Sequence, residues 1–272
     1  PPPEVLSSLP GSGPLRSAVR DVRVIAVYSP KGGVGCTTLA SNLAVALQRD
    51  DSQVIIVDGS LQFGGVDIAF NERGENSLVD LAPRVAELDP EVVEGVVVTH
   101  RASRVKILAA PQKPEDAERV MPDEFASLLK YLGSMYSYVI VDTAPELNDY
   151  TLAALDVSDL VVLVTVQDVP SLDRVRRFLD MADSLGVDDE KILFVMNRYT
   201  NRINITPERI SESFKKEIAA VIPYDYQVVL PSINRGTPFL LNSKVRKSRP
   251  IARAVQSLAE RIRQKQVELT GG

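Results

Sequence analysis

From Val22 onward, short runs rich in Val, Ile and Leu alternate with stretches of helical period. Unbroken apolar runs of four to eight residues read as strands buried on both faces, as in a parallel sheet, rather than strands with one wet face. The runs predict strands at Val22–Ser29, Gln53–Asp58, Arg104–Ala110, Ser137–Asp142, Leu160–Val166, Lys191–Asn197 and Ile218–Pro223. Between them, Leu39, Leu43, Ala46 and Leu47 recur at i, i+4, i+7 and i+8, one face of a helix. Similar patterns predict helices at Pro122–Met135, Ser171–Leu185, Thr206–Lys216 and Ile251–Lys265. The alternation defines an α/β fold: a mainly parallel, largely seven-stranded sheet flanked by helices.

Ligands of open α/β sheets collect beyond the C-terminal ends of the strands. Lys31, Asp58, Asp142 and Asn197, polar residues at or just past those ends, are therefore candidates as a group. The first strand runs into Lys31-Gly32-Gly33-Val34-Gly35, followed by Cys36, Thr37 and Thr38 at the start of a helix. Glycines let the backbone turn tightly and approach an anion, and the helix N-terminus offers it free N–H groups. The general phosphate-loop pattern G-x-x-x-x-G-K-[ST] is broken twice, by Pro30 at the first glycine and by Cys36 at the lysine. Thr37 and Thr38 supply hydroxyls where Mg²⁺ and phosphate would lie.

The chain has 272 residues, 44% of them hydrophobic and 25% charged, enough for one domain of roughly 250 residues with a substantial core. Residues 1–21 stand apart. They hold five prolines and no sustained period, so a linker or extended arm is expected there, with the domain spanning 22–272. The longest apolar run, Leu160–Val166, is far short of the roughly 20 residues a membrane-spanning helix needs. A formal net charge of −5 argues against a domain-wide electrostatic footprint for nucleic acid. One cysteine permits no internal disulfide, and no signal peptide precedes the fold, so a cytoplasmic location is expected.

Lys31–Ala44, KGGVGCTTLASNLA, resembles the phosphate loop of the ParA/MinD family of ATPases, whose pattern is K-G-G-x-G-K-[ST]. The resemblance runs over nearly all of residues 22–265 and includes VIIVDGSLQFGG at Val54–Gly65, YVIVDTAP at Tyr138–Pro145, VMNR at Val195–Arg198 and IPYDYQVV at Ile222–Val229. Within that family, SLQFGGVD at Ser60–Asp67 and KILAAPQKPEDAERV at Lys106–Val120 look most like the CpaE/TadZ-type proteins of tight-adherence pilus assembly. The resemblance implies ATP and Mg²⁺ as cofactors and a homodimer with ATP sandwiched between protomers, Lys31 reaching the partner's nucleotide. It implies Thr37 as a direct Mg²⁺ ligand, with Asp58 and Asp142 acting through water. Gly32, Gly33, Val34, Gly35, Cys36, Thr37 and Thr38 would cradle the phosphates. Asn197, Arg198, Pro223, Tyr224 and Asp225 would line the base and ribose.

The family's strand-end pattern is D-x-D, and here it reads Asp58-Gly59-Ser60. Asp58 and Lys31 match the family's catalytic positions, but Ser60 cannot accept water's proton at neutral pH, and a positioned base is worth about 10²–10⁴ in rate. Slow hydrolysis is expected; Asp67 is near in sequence, but its substituting for the missing carboxylate is the less favoured reading. The implied role is a switch or localisation factor for pilus assembly, recruited to the inner membrane or cell pole, with the machine's secretion ATPase as partner. The arm at 1–21 would then link to a receiver-like domain. A DNA-partitioning ATPase, a MinD-like membrane-cycling ATPase and a nucleotide-independent scaffold are the alternatives.

Three features are weighed apart. Cys36 at a helix start could be a redox thiol, but a small side chain tolerated beside phosphate explains it more simply. His100, the one histidine, is expected to be a surface or loop residue. Lys244, Arg246, Lys247 and Arg249 read as a solvated loop or as a site for an anionic partner. Ile251, Val255, Leu258 and Ile262 form one apolar stripe, expected to pack on the domain's own sheet.

Overall fold

Eight strands make up the sheet in a computed structural model that describes residues 23–270. They are β1 (Val24–Tyr28), β2 (Val54–Gly59), β3 (Val98–Thr99), β4 (Lys106–Leu108), β5 (Tyr138–Thr143), β6 (Leu160–Thr165), β7 (Ile192–Tyr199) and β8 (Ile218–Pro223). Their order is β3-β4-β2-β5-β1-β6-β7-β8, parallel throughout except for β3 against β4. The sheet thus has eight strands rather than seven. The extra one, β3, pairs only Val98 with Ile107 and Thr99 with Lys106. Two residues are too few to leave a period in the sequence, and β4 itself is only three residues long, shorter than the apolar run around it.

The α-helices are α1 (Cys36–Leu47), α2 (Val66–Phe70), α3 (Pro90–Val96), α4 (Pro122–Met135), α5 (Asp149–Val157), α6 (Val169–Ala182), α7 (Pro207–Phe214), α8 (Tyr226–Arg235), α9 (Ser243–Ser248) and α10 (Pro250–Thr270). Alternate strand residues feed opposite faces, as the twofold strand period requires. Ile25, Val27, Ile56, Ile140 and Val162 pack toward α1 and α10. On the other face, Ile55, Val57, Val139 and Val141 meet α4, while Ala26, Tyr28, Val161 and Leu163 meet α6.

The stripe of α10 is fully used in this way: Ile251, Val255, Leu258 and Ile262 are all buried in the core shared with α1 and β8. Burying each such side chain contributes about 1.5–3 kcal/mol. Two expectations need correction. His100 is a loop residue after β3 as expected, but not a surface one: it is buried, edge-on to Phe70 at 5.2 Å and bonded through Nδ1 to the Ser103 hydroxyl at 2.7 Å. Residues 243–248 form a short helix rather than a loop, because the Asn242 side chain caps it by accepting from the N–H groups of Lys244 and Val245. The arm expected at 1–21 lies outside the described residues. Among the described residues no helix is long and apolar enough to cross a membrane.

Candidate functional site

The chain leaves β1, turns out to β2 and β4, and returns through β5 before crossing to β6 on the other side. That reversal puts the end of β1 at the switch point of the sheet, where a crevice opens. The glycine-rich loop fills it. Gly33 and Gly35 have φ of +76° and +100°, a left-handed backbone that other residues seldom adopt. A Cβ on Gly35 would also lie 2.8 Å from Asn197 Nδ2, whose amide donates to the Val34 carbonyl at 2.8 Å. Gly35 caps α1 without a side-chain hydrogen bond, and no acidic residue stands in the first turn. The first N–H groups of a twelve-residue helix therefore face the crevice with the positive end of its dipole, a cradle suited to an anion.

Opposite this cradle stand two buried carboxylates in register, Asp58 on β2 and Asp142 on β5. Asp58 accepts hydrogen bonds from the backbone N–H groups of Ser60 at 3.1 Å, Gly65 at 2.8 Å and Val66 at 3.0 Å. It thereby folds residues 59–66 into a closed loop, and a Cβ on Gly64 would collide with its carboxylate. Burial pushes its carboxyl up to about 6 against the pull of those three donors. Asp142 is less well served. Its Oδ1 is buried with no hydrogen-bond partner. Burial first, then the neighbouring Asp58, pushes its carboxyl up to about 8, opposed by a hydrogen bond with Thr37.

An orphaned buried carboxylate oxygen beside a threonine hydroxyl fits a hydrated divalent cation. Among the described residues no group of three or more His, Cys, Asp and Glu assembles into a metal cluster. A cation here would take its remaining ligands from water and phosphate, as Mg²⁺ does in nucleotide sites.

Two cavities meet over the loop. One of about 350 Å³ is lined by the loop itself, Ser60, Phe63, Asp142 and Arg198. The other, about 240 Å³ and mostly apolar, lies between Asn197, Pro223, Tyr224, Phe239 and Ile251. Gly35, Thr38 and Arg198 line both, so they form one bent cleft. The expected residues from Lys31 to Thr38, with Asp142, Asn197, Arg198, Pro223, Tyr224 and Asp225, all border it. Asp58 lies beneath, and Asp67 lines a separate cavity with Arg73 and Gln112.

Two residues carry unexpected duties. Lys31 donates to Asp168 at 2.5 Å within the same chain. Burial opposes ionisation of Asp168, but Lys31 and the Ser171 N–H hold its carboxyl below the usual range. Asp225 caps α8 by accepting from Val228 N–H at 3.2 Å, with Arg249 3.8 Å away. The Cys36 thiol is pushed well up by burial and then by Asp142, the opposite of a reactive thiolate.

Sequence reasoning missed Asp168, Gly64 and Phe239. Asp168 follows β6 just as Asp58 and Asp142 end their strands, so the strand-end rule extended to β6 would have found it. Phe239 carries no such signal, because a one-turn helix brings it to the cleft from more than forty residues beyond Asn197.

A strand, a glycine loop and a helix N-terminus facing strand-end carboxylates define a P-loop nucleotide-binding fold. A family model described as an AAA domain matches residues 22–193, and the chain belongs to that family, the P-loop ATPases of ParA/MinD type. The septum site-determining protein MinD of Thermotoga maritima is 28% identical over 257 residues, covering 90% of each chain. The ParA family ATPase of Chlorobium tepidum superposes with a TM-score of 0.81 at 26% identity, covering 88% of this chain and 99% of its own. MinD of Pyrococcus horikoshii, solved with Mg-ADP, shares the fold with a TM-score of 0.77 at 24% identity, covering 92% and 99%.

Proposed function

We propose that this protein is an ATP-binding switch and localisation factor that dimerises around nucleotide and hydrolyses it slowly. The observation that carries the reading is the uncapped N-terminus of α1 facing the orphaned oxygen of Asp142. Backbone N–H groups of residues 32–38 would hold the phosphates, and Thr37, Asp58 and Asp142 would hold the Mg²⁺, Thr37 directly and the two carboxylates through water. Mg²⁺, when bound, neutralises charge on the terminal phosphates. Asn197 keeps one amide hydrogen free for the base, while Pro223 and Tyr224 flank it. Asp225, engaged in capping α8, holds Tyr224 and Tyr226 in place at the ribose end. Lys31 leaves Asp168 to reach the partner's phosphates in the dimer.

Slow turnover is the finer part of the proposal. Ser60 faces the phosphate cavity where the family's water-activating carboxylate would stand, and Asp67 opens onto a different cavity. Such a protein suits recruitment rather than metabolism, and the CpaE/TadZ-like segments at Ser60–Asp67 and Lys106–Val120 favour pilus assembly, with its secretion ATPase as partner. The MinD relatives favour a second reading, a membrane-cycling ATPase. Against it, the apolar stripe of α10 is spent on the protein's own core.

Titration with a fluorescent ATP analogue, with and without Mg²⁺, tests the nucleotide reading: saturable, Mg²⁺-strengthened binding is expected, and no binding refutes it. Removing the protein from its cell separates the two finer readings. Loss of pili with normal septa supports assembly, whereas misplaced septa with intact pili support the MinD-like role.

A further inference from the structure

Within a single protomer the phosphate cavity is short of available positive charge. Cys36 occupies the loop position where a lysine ordinarily meets the phosphates, and Lys31 is held by Asp168 at 2.5 Å. The other cationic side chain lining the cavity is Arg198. It also lines the apolar cleft, so it stands at the bend where phosphates and base would join. Its Nη2 lies 3.8 Å from where a Cβ on Gly35 would be, directly beside the loop. It makes no ion pair with any described residue.

The backbone aims this side chain deliberately. Arg198 has φ of +54°, a left-handed conformation uncommon outside glycine, and its N–H donates to the Asn197 side chain at 2.9 Å. Asn197 is tied to Val34, and Gln167 grips Thr200 through both its N–H at 2.7 Å and its carbonyl at 3.1 Å. The Tyr199 carbonyl accepts from Tyr224 N–H at 2.8 Å. Arg198 is exposed, but it is an unpaired arginine held in a rare conformation between anchored neighbours at the rim of an anion cradle, which leaves its charge free for a ligand there. Its planar fork matches two phosphate oxygens at once, which a lysine ammonium does not.

We propose that Arg198 replaces the missing loop lysine, supplying from the end of β7 the cation that Cys36 cannot supply from α1. The assignment rests on the nucleotide reading above and specifies its ligand: the charged phosphate tail, not the base. In consequence, a nucleoside without phosphates gains nothing from Arg198.

The test is displacement of a fluorescent ATP analogue by ATP, ADP and adenosine. It compares wild type, Arg198→Gln, Arg198→Lys, and Arg198→Gln combined with Cys36→Lys. Losing a charge-assisted hydrogen bond predicts ATP and ADP binding weaker by about 10- to 100-fold in Arg198→Gln, with adenosine unchanged. Arg198→Lys retains most of the affinity, and Cys36→Lys restores part of it to the Gln variant. Equal ATP affinity in wild type and Arg198→Gln overturns the inference while leaving the nucleotide reading intact. A matching loss for adenosine also overturns it, because the residue would then serve the base. Failure of wild type to bind any of the three overturns both.

Discussion

β2 and β5 end side by side, with Asp58 and Asp142 in register, yet the two carboxylates lead different lives. Asp58 satisfies three backbone donors and so belongs to the architecture of the loop it closes. Asp142 leaves one oxygen buried without a partner, a cost the fold bears with no structural return of its own. Asp58 is fixed by the loop it closes, whereas Asp142 keeps an oxygen open on the side of the phosphate cavity. The difference teaches how to read strand-end carboxylates: the partner count, not burial or pKa alone, separates a structural acid from a functional one.

The sharpest way to break the comparison is to change what β2 presents to the cavity. Ser60→Asp restores the carboxylate of the family's D-x-D pattern, and single-turnover ATP hydrolysis is expected to rise by about 10²-fold or more. Next in size is Asp58→Ala, which orphans three backbone N–H groups at about 1–3 kcal/mol each. Urea unfolding should show a loss of at least ~3 kcal/mol.

Asp142→Asn should do the reverse. It removes a buried charge while keeping the shape, so the ligand-free protein gains about 1 kcal/mol near pH 8, ~2–4 °C in thermal midpoint. The same variant loses the Mg²⁺ enhancement of ATP binding. Stability gained where binding is lost is the mark of a functional position.

The smallest effect is a pH slope. Both carboxyls hold their protons more tightly when folded, about 6 for Asp58 and about 8 for Asp142, than the ordinary 3.8. Their contribution to stability is therefore complete below about pH 4 and is lost as pH rises through those two values. Unfolding of wild type and Asp142→Asn between pH 5 and 8.5 should show the variant's advantage growing steadily with pH and levelling off as pH passes about 8.

Much of this was legible in the chain. Strands buried on both faces announce themselves, and β2, β5, β6 and β8 lie within a residue of their expected ends because no alternative conformation hides a run such as LVVLVT. The loop was equally plain, since glycine spacing reports backbone shape directly. What the sequence withheld were partners. α8 escaped notice because Pro231 interrupts its pattern, and α5 because its buried face, Thr151, Ala154 and Leu155, holds one large apolar side chain and so leaves no clear apolar period. That His100 sits in a loop was legible, but nothing local records that Phe70 covers it. Nor does the sequence say that Lys31 spends its charge on Asp168, a contact between segments far apart in the chain, or that Asp58 rather than Asp142 is satisfied, which depends on how the loop of residues 59–66 folds back on Asp58.

The central claim, a nucleotide-driven switch, is tested most directly by molar mass. Light scattering on wild type and Lys31→Ala, each without nucleotide, with ADP-Mg²⁺ and with ATP-Mg²⁺, gives the answer in one experiment. The account predicts that wild type doubles in mass with ATP-Mg²⁺ alone and that Lys31→Ala stays monomeric throughout. An unchanged mass across all samples would contradict it and leave a constitutive scaffold as the better description.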